Sequence, residues 1–274
     1  MTKGAISISQ LVLNEVARAP AIPAPGLYHF WFPLFRSFRN ALAHRALPSH
    51  MPCEDKGVRL AKAYKGVGME GCLATWYARQ TLNDSEEFER TAHRIAPYLP
   101  AGARVLEIAP GPGYLAIALA KLTGCRMQGL DISRSFVRIA TDNARKADVD
   151  ADFQHGDAAD LPFPAEQFDF IVCRAAFKNF ARPLQALDEM HRVLKPGGIA
   201  LVIDLRKDFS AQALNDYVRG RGVISAAVTK LTFHAMLKKR AYTKDAIADL
   251  VARSRFGRGD IRLEPIGFEL WLHK

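Results

Sequence analysis

Cysteine is scarce in this sequence and never paired at short range. Cys53, Cys72, Cys125 and Cys173 stand far apart and no C-x-x-C occurs, which argues against a zinc ligand set and a redox dithiol. Scattered single cysteines read as buried thiols in a reducing compartment. Long apolar runs are missing too: none approaches the roughly 20 residues of a membrane span. The first 30 residues lack a basic start followed by an apolar core, because Asn14, Glu15 and Arg18 interrupt it, so no secretory leader is expected. There is no internal repeat and no low-complexity stretch. These absences predict a soluble, cytoplasmic protein.

Apolar side chains are plentiful, at 49% of 274 residues. That suits one large domain, or a core domain with a smaller appended part. The net charge of +10 is unevenly placed. Residues 1–100 hold 12 basic and 8 acidic side chains, residues 101–205 hold 12 and 13, and residues 206–274 hold 14 and 7. A basic tail suits nucleic acid, anionic lipid or an acidic substrate, or is simply a solvated face.

Residues 7–19 suit a short helix stopped by Pro20, Pro23 and Pro25. Residues 26–47 are rich in aromatics, carry Arg36, Arg39, His44 and Arg45, and have helical spacing from Leu34. Residues 56–81 read as two helices broken at Gly66–Gly68. Residues 85–99 read as a helix with Ser85 as N-cap and an acidic first turn. After Pro100 short β-rich runs alternate with helices: strands over 104–109, 126–131, 151–157, 168–174 and 199–205, helices over 114–124, 133–147 and 183–194. Residues 210–238 and 243–254 read as helical, and the last stretch as two strands joined around Pro265–Gly267. Apolar strands alternating with helices predict a doubly wound, mostly parallel sheet covered on both faces. The expected fold is seven-stranded, with an antiparallel C-terminal hairpin and an N-terminal helical extension. The extension covers residues 1–84 and the main domain 85–274.

Three strand ends carry the chemistry. Glu107-Ile-Ala109-Pro-Gly111-Pro-Gly113 closes the first strand and opens a helix, where glycines let a ligand approach the backbone. Gly111-x-Gly113-x-x-Ala116 also fits a dinucleotide fingerprint. Asp131 ends the second strand, where an acid can accept from two ribose hydroxyls; it also suits an N-cap. Gly156-Asp157-Ala158 follows the third strand. Leu161-Pro-Phe-Pro164, Phe168-Asp169 and Leu194-Lys-Pro-Gly-Gly198 come after it.

This ordered set, over residues 100–205, resembles the class I S-adenosylmethionine-dependent methyltransferases. The resemblance implies S-adenosyl-L-methionine as cofactor. It puts the methionine part at Glu107, Ala109, Gly111 and Gly113, the ribose at Asp131, and the adenine amine at Asp157, flanked by Ile132 and Ala158. Arg174, ending the fourth strand, joins this cofactor set. The family usually has glycine where Ala109 stands, and a methyl there suits a backbone with φ below zero. Within the family, residues 163–205 look most like the quinone and sterol C-methyltransferases, a pattern that many O- and N-methyltransferases share. Pro112 between the glycines and the Gly-Asp-Ala turn count against a nicotinamide dehydrogenase. Arg174-Ala-Ala-Phe177 stands where amino-methylating nucleic acid enzymes carry Asn/Asp-Pro-Pro-Tyr.

The expected activity is methyl transfer to a small, fairly apolar acceptor, with carbon, oxygen or nitrogen unresolved. Its rivals are an RNA or protein methyltransferase using the basic C-terminal region, and a non-methylating cofactor-binding protein. No metal is expected, nucleic acid is the weaker partner, and oligomerisation stays open. In-line transfer gains most from alignment, and only a poor nucleophile needs a base. Candidate bases are His29, Tyr64, Tyr77, Tyr114, His155, His191 and His234. Tyr64 and Tyr77 rank first, because the resemblance puts N-terminal helices over the active site; the competing reading is core packing. The aromatic stretch at 26–47 has three readings: packing on the core, a lid over an apolar substrate, and peripheral membrane contact.

Overall fold

The structure, a computed structural model, describes residues 64–65, 69–82, 85–219 and 240–274. The aromatic stretch, the helix at 7–19, the break at 66–68, most of 210–238, His29 and His234 lie outside the described residues.

The elements follow in alternation. Helix α1 (Gly71–Thr81) and α2 (Ser85–Ile95) precede β1 (Arg104–Ile108), α3 (Tyr114–Thr123), β2 (Arg126–Asp131), α4 (Arg134–Ala147) and β3 (Ala151–His155). Then come β4 (Phe168–Arg174), α5 (Pro183–Val193), β5 (Leu194–Leu205), α6 (Ala211–Val218), α7 (Lys244–Arg253), β6 (Asp260–Leu263) and β7 (Gly267–His273). Seven strands form one sheet in the order β3-β2-β1-β4-β5-β7-β6. The first five run parallel, and β7 pairs antiparallel with both β5 and β6. This is the expected architecture, with β7 inside and β6 at the edge.

Local chemistry explains the boundaries. Helix α2 stops at Ile95 and tightens into a 3-10 turn over Ala96–Tyr98, because Pro97 has no N–H for the helical ladder. Ser133 caps α4: its Oγ accepts from the Phe136 N–H at 3.1 Å. Strand β5 begins at Leu194 instead of Ile199. Phe168 pairs with Leu194 and Phe170 with Ile199, so Lys195–Gly198 bulge out, with Gly197 taking φ 77°.

Both faces of the sheet are buried. On one face Ile171, Cys173 and Val202 pack against Leu187 and Met190 of α5 and Ile247 and Val251 of α7. On the other, Val105, Phe170 and Leu201 meet Ile95, Leu115 and Leu119. Cys125 and Cys173 are buried as expected, but Cys72 is exposed on α1. No helix among the described residues is long and apolar enough to cross a membrane.

The described residues ahead of α2 dock on the helices beside the sheet. The Glu70 carboxylate accepts from the Arg134 and Ser135 N–H groups at 2.9 and 3.0 Å, occupying the amide-rich start of α4. Ser133 Oγ donates to the Met69 carbonyl at 2.6 Å, and Tyr114 donates to the Ala78 carbonyl at 2.9 Å. Helix α1 is thereby fixed beside the end of β2.

Candidate functional site

Strand order reverses between β1 and β4, the switch point at which open α/β sheets form a crevice beyond their carboxyl ends. A cavity of about 370 Å³ opens there. Its wall brings together Tyr64, Tyr77, Glu107, Ala109, Gly111, Asp131, Ile132, Asp157, Ala158 and Arg174. Of the site residues expected from sequence, Gly113 is not on that wall. It starts α3 at φ 80°, and a Cβ there would lie 3.0 Å from the Ala140 Cβ and 3.1 Å from the Phe153 ring. Its lack of a side chain serves the close packing of α3 on α4.

Ala109 departs from expectation more sharply. Its φ is +57°, not below zero, so an L side chain occupies the left-handed region at the rim of the cavity. The turn holds it there: Ala109 N–H donates to the Leu130 carbonyl at 2.8 Å, and Gly113 N–H to the Pro110 carbonyl at 3.0 Å. Asn143 Nδ2 donates to the Pro112 carbonyl at 2.9 Å. Left-handed alanine costs about 1–2 kcal/mol, and glycine gives back roughly 0.5–1 kcal/mol through unfolded-state freedom. Ala109→Gly should therefore raise stability by up to about 1 kcal/mol. Urea and thermal melts check this; an unchanged or lower midpoint would refute the strain.

Asp131 is a staple between two loops. Its Oδ2 accepts from the Gly111 N–H at 3.0 Å and its Oδ1 from the Ser133 N–H at 2.8 Å. It is the acid at the strand end but not the helix N-cap, which is Ser133; Asp131 instead holds that residue's N–H. Burial raises its pKa to about 7, against the lowering effect of those hydrogen bonds. Glu107 is 3% exposed, and burial raises it to about 8 although the Arg174 charge pulls it down. Its Oε2 has no hydrogen-bond partner among the described residues. Arg174 approaches Glu87 at 3.7 Å and lies 4.9 Å from the Phe88 ring centroid. Asp157 is already engaged: Oδ1 accepts from the Ala159 N–H at 2.9 Å, and Arg182 Nη2 reaches Oδ2 at 2.6 Å.

The aromatic side of the wall comes from elsewhere. Tyr64 bridges Phe180 just past β4, and Lys65 N–H donates to the Asn179 carbonyl at 2.8 Å. Burial first, then the Asp131 charge, push the Tyr64 hydroxyl up to about 12, with Arg240 opposing. Tyr77 meets Phe136 edge-on at 5.7 Å. Trp76, Phe88, Asn179, Phe180 and Arg240 complete this side; sequence reasoning missed them. Trp76 had a signal, adjacency to Tyr77 on one helix. Arg240 had none, since it lies beyond the last parallel strand. The other candidate bases stand apart: His155 is exposed, His191 meets Phe256 edge-on at 5.0 Å, and the Tyr114 hydroxyl goes to the Ala78 carbonyl. No cluster of three His, Cys, Asp or Glu suited to a metal occurs among the described residues.

Residues 106–202 match the family model described as "Methyltransferase domain". The chain is 38% identical over 138 residues to a 2-phytyl-1,4-naphthoquinone methyltransferase of Synechococcus elongatus, covering 47% of this chain and 59% of that one. It is 36% identical over 101 residues to a demethylmenaquinone methyltransferase of Chlorobaculum parvum, covering 37% and 40%. The chain thus spans about 59% or less of the length of these curated relatives. A solved structure from Methanococcus maripaludis, described as a candidate S-adenosyl-L-methionine-dependent methyltransferase, superposes with a TM-score of 0.62 at 19% identity, over 76% of this chain and 95% of that one. One from Nostoc punctiforme, described as a candidate O-methyltransferase, superposes at 0.59 with 17% identity, over 90% and 71%. At those identities the superpositions speak for the fold alone.

Proposed function

We propose that this chain carries a class I S-adenosylmethionine-dependent methyltransferase domain and that it methylates a small, fairly apolar acceptor of the quinone type. The observation that carries the reading is the cavity at the β1/β4 switch point, which joins buried acids from two strand ends to an aromatic wall.

The residues fit the cofactor. Glu107 Oε2 is a buried acceptor lacking a partner among the described residues, suited to the ammonium of the methionine part. Asp131 offers acceptors to the ribose hydroxyls, its oxygens having lone pairs beyond the two backbone N–H groups. Asp157, held by Arg182 and Ala159, retains capacity for the adenine amine, with Ile132 and Ala158 flanking it. When bound, S-adenosylmethionine supplies an electrophilic methyl on a sulfonium. The protein's part is alignment: the glycine turn and Asp131 fix the donor end, the Tyr64, Tyr77 and Phe180 side orients the acceptor, and the apolar wall excludes water. Tyr64 and Tyr77 act here by orientation. A hydroxyl pushed up to about 12 keeps its proton at neutral pH, so Tyr64 is a donor and not a base.

Calorimetry with S-adenosylmethionine and S-adenosylhomocysteine, then mass analysis of a naphthoquinol incubated with the first, tests the reading. Absence of binding would sink it; binding without methylation would favour the non-methylating alternative.

The acids add a pH signature. Without ligand, burial holds Asp131 at about 7 and Glu107 at about 8, while the cofactor groups require both ionised. Binding should release protons near neutrality. Affinity should climb from about pH 6 to about pH 8, level off above, and fall below that window. The ligand-free protein shows the reverse trend: its two raised acids bind more protons than the unfolded chain, so stability declines as pH rises from about 4 through about 8. Calorimetric enthalpies that do not depend on the buffer's ionisation enthalpy near pH 7 would contradict the proton release.

A further inference from the structure

The cavity carries two cations with different surroundings. Arg174 lies behind the glycine turn, against Glu87 and Phe88. Arg240 reaches the wall from the return segment past β5. The chain just after Arg240 is held in place: Tyr242 bridges Arg206, its carbonyl accepts from the Lys207 N–H at 2.8 Å, and its ring lies 5.7 Å from Phe177. Nearby, the Tyr64–Phe180 bridge holds the Tyr64 hydroxyl on the same wall. Of the carboxylates there, Asp157 is paired with Arg182, Asp131 serves two backbone amides, and Glu107 lies under Arg174's influence. No carboxylate forms an ion pair with Arg240 among the described residues.

A guanidinium facing a largely apolar cavity selects an anion that can also stack. No histidine lines the wall among the described residues and Tyr64 stays protonated, while the wall's carboxylates are committed to Arg182, to backbone amides and to the cofactor groups. An acceptor that arrives already ionised needs no base from this wall.

We infer that Arg240 sets the acceptor class. The site takes a planar, acidic hydroxy-aromatic or enol in its ionised form, its oxyanion against the Arg240 guanidinium and the Tyr64 hydroxyl, its ring among Trp76 and Phe180. This rests on the methyl-transfer reading and narrows it. The acceptor's electron pair forms the new bond to the methyl carbon and the carbon–sulfur pair returns to sulfur. Acceptor anion and sulfonium lose their charges together, and a carbon acceptor then sheds its ring proton to water.

The test uses the full chain saturated with S-adenosylhomocysteine and two probes of similar shape. One is 2-hydroxy-1,4-naphthoquinone, an acidic enol; the other is uncharged 1,4-naphthoquinone. Calorimetry should show the acidic probe binding about tenfold tighter or better, with affinity lost as pH falls through the probe's own pKa. Arg240→Gln should remove that advantage and leave the neutral probe and S-adenosylhomocysteine unchanged, and Arg240→Lys should keep part of it. Tyr64→Phe should weaken the acidic probe alone. Equal binding of the two probes by the wild type, equal loss of both in Arg240→Gln, or no binding of either would overturn the assignment. If Arg240→Gln does not fold, the wild-type pH titration and Tyr64→Phe decide. Failure of S-adenosylhomocysteine itself to bind is a separate result, which removes the methyl-transfer reading.

Discussion

Asp131→Asn should weaken S-adenosylhomocysteine by about 100-fold or more, since each hydrogen bond to a charged acceptor is worth about 1.5–3 kcal/mol and two ribose hydroxyls are at stake. The substitution is nearly isosteric, so the loss is chemical. An ionised Asp131 accepts from Gly111 and Ser133 with one oxygen each. An amide has a single acceptor oxygen, and its NH₂ would face one of those two N–H groups, donor against donor. Either the glycine turn or the start of α4 loses its anchor, and the ribose loses its anionic partner. Asp131→Ala removes the clash but also both acceptors, so it should bind as poorly. Calorimetry on variants that keep the wild-type circular dichroism is the measurement. Affinity within about threefold of wild type, roughly 0.7 kcal/mol, would mean that Asp131 is a loop staple and nothing more.

Asp131 also shows why much of this site was legible in the sequence. A strand ending in an acid, followed by a capping serine, fixes both the residue's place at the sheet edge and its direction. The same holds for Glu107 before the glycine turn and for Asp157 after β3. Each lies within a few residues of a strand end, and parallel pairing brings consecutive ends together. Gly113 lies off the cavity wall, and a glycine needed for a positive φ and close helix packing has the same sequence signature as one that admits a ligand. Ala109 misled in the opposite way: its type suggests an ordinary backbone, and only the turn's hydrogen bonds reveal φ +57°. The acceptor side was the least legible. Tyr64 and Phe180 meet through an isolated bridge, and Arg240 stands two residues before the bridge from Tyr242 to Arg206; these join segments far apart in the chain, and no periodicity encodes such pairing. Asp157 appeared as an adenine ligand, but nothing in the pattern announced that Arg182, 25 residues on, would already hold it.

The same blindness applies to Lys178, where substitution should have the largest effect on stability. Lys178 and Asp204 are both about 1% exposed, and their Nζ and Oδ1 lie 2.8 Å apart. Asp204 also accepts from the Lys178 and Leu205 N–H groups at 2.8 and 2.7 Å, and Lys178 Nζ donates to the Ala175 carbonyl at 2.5 Å. Removing one partner of such a pair leaves a buried charge uncompensated, at about 3–5 kcal/mol. Lys178→Met should therefore lower the urea midpoint by that equivalent, a large share of a typical 5–15 kcal/mol total. Adding Asp204→Asn should recover part of it, because the stranded charge goes while an acceptor for a backbone N–H remains. The damage should also be felt in the site on one side only. Ala175 sits on the cavity wall at φ +59°, and the Lys178 ammonium holds its carbonyl. The acceptor's KM should consequently rise while the affinity for S-adenosylhomocysteine, fixed by loops after β1 and β2, stays near wild type. A loss below about 1 kcal/mol, within the range of an exposed pair, would show that the interior tolerates the lone carboxylate; equal losses for acceptor and S-adenosylhomocysteine would show that the pair supports the sheet as a whole and not the β4 end.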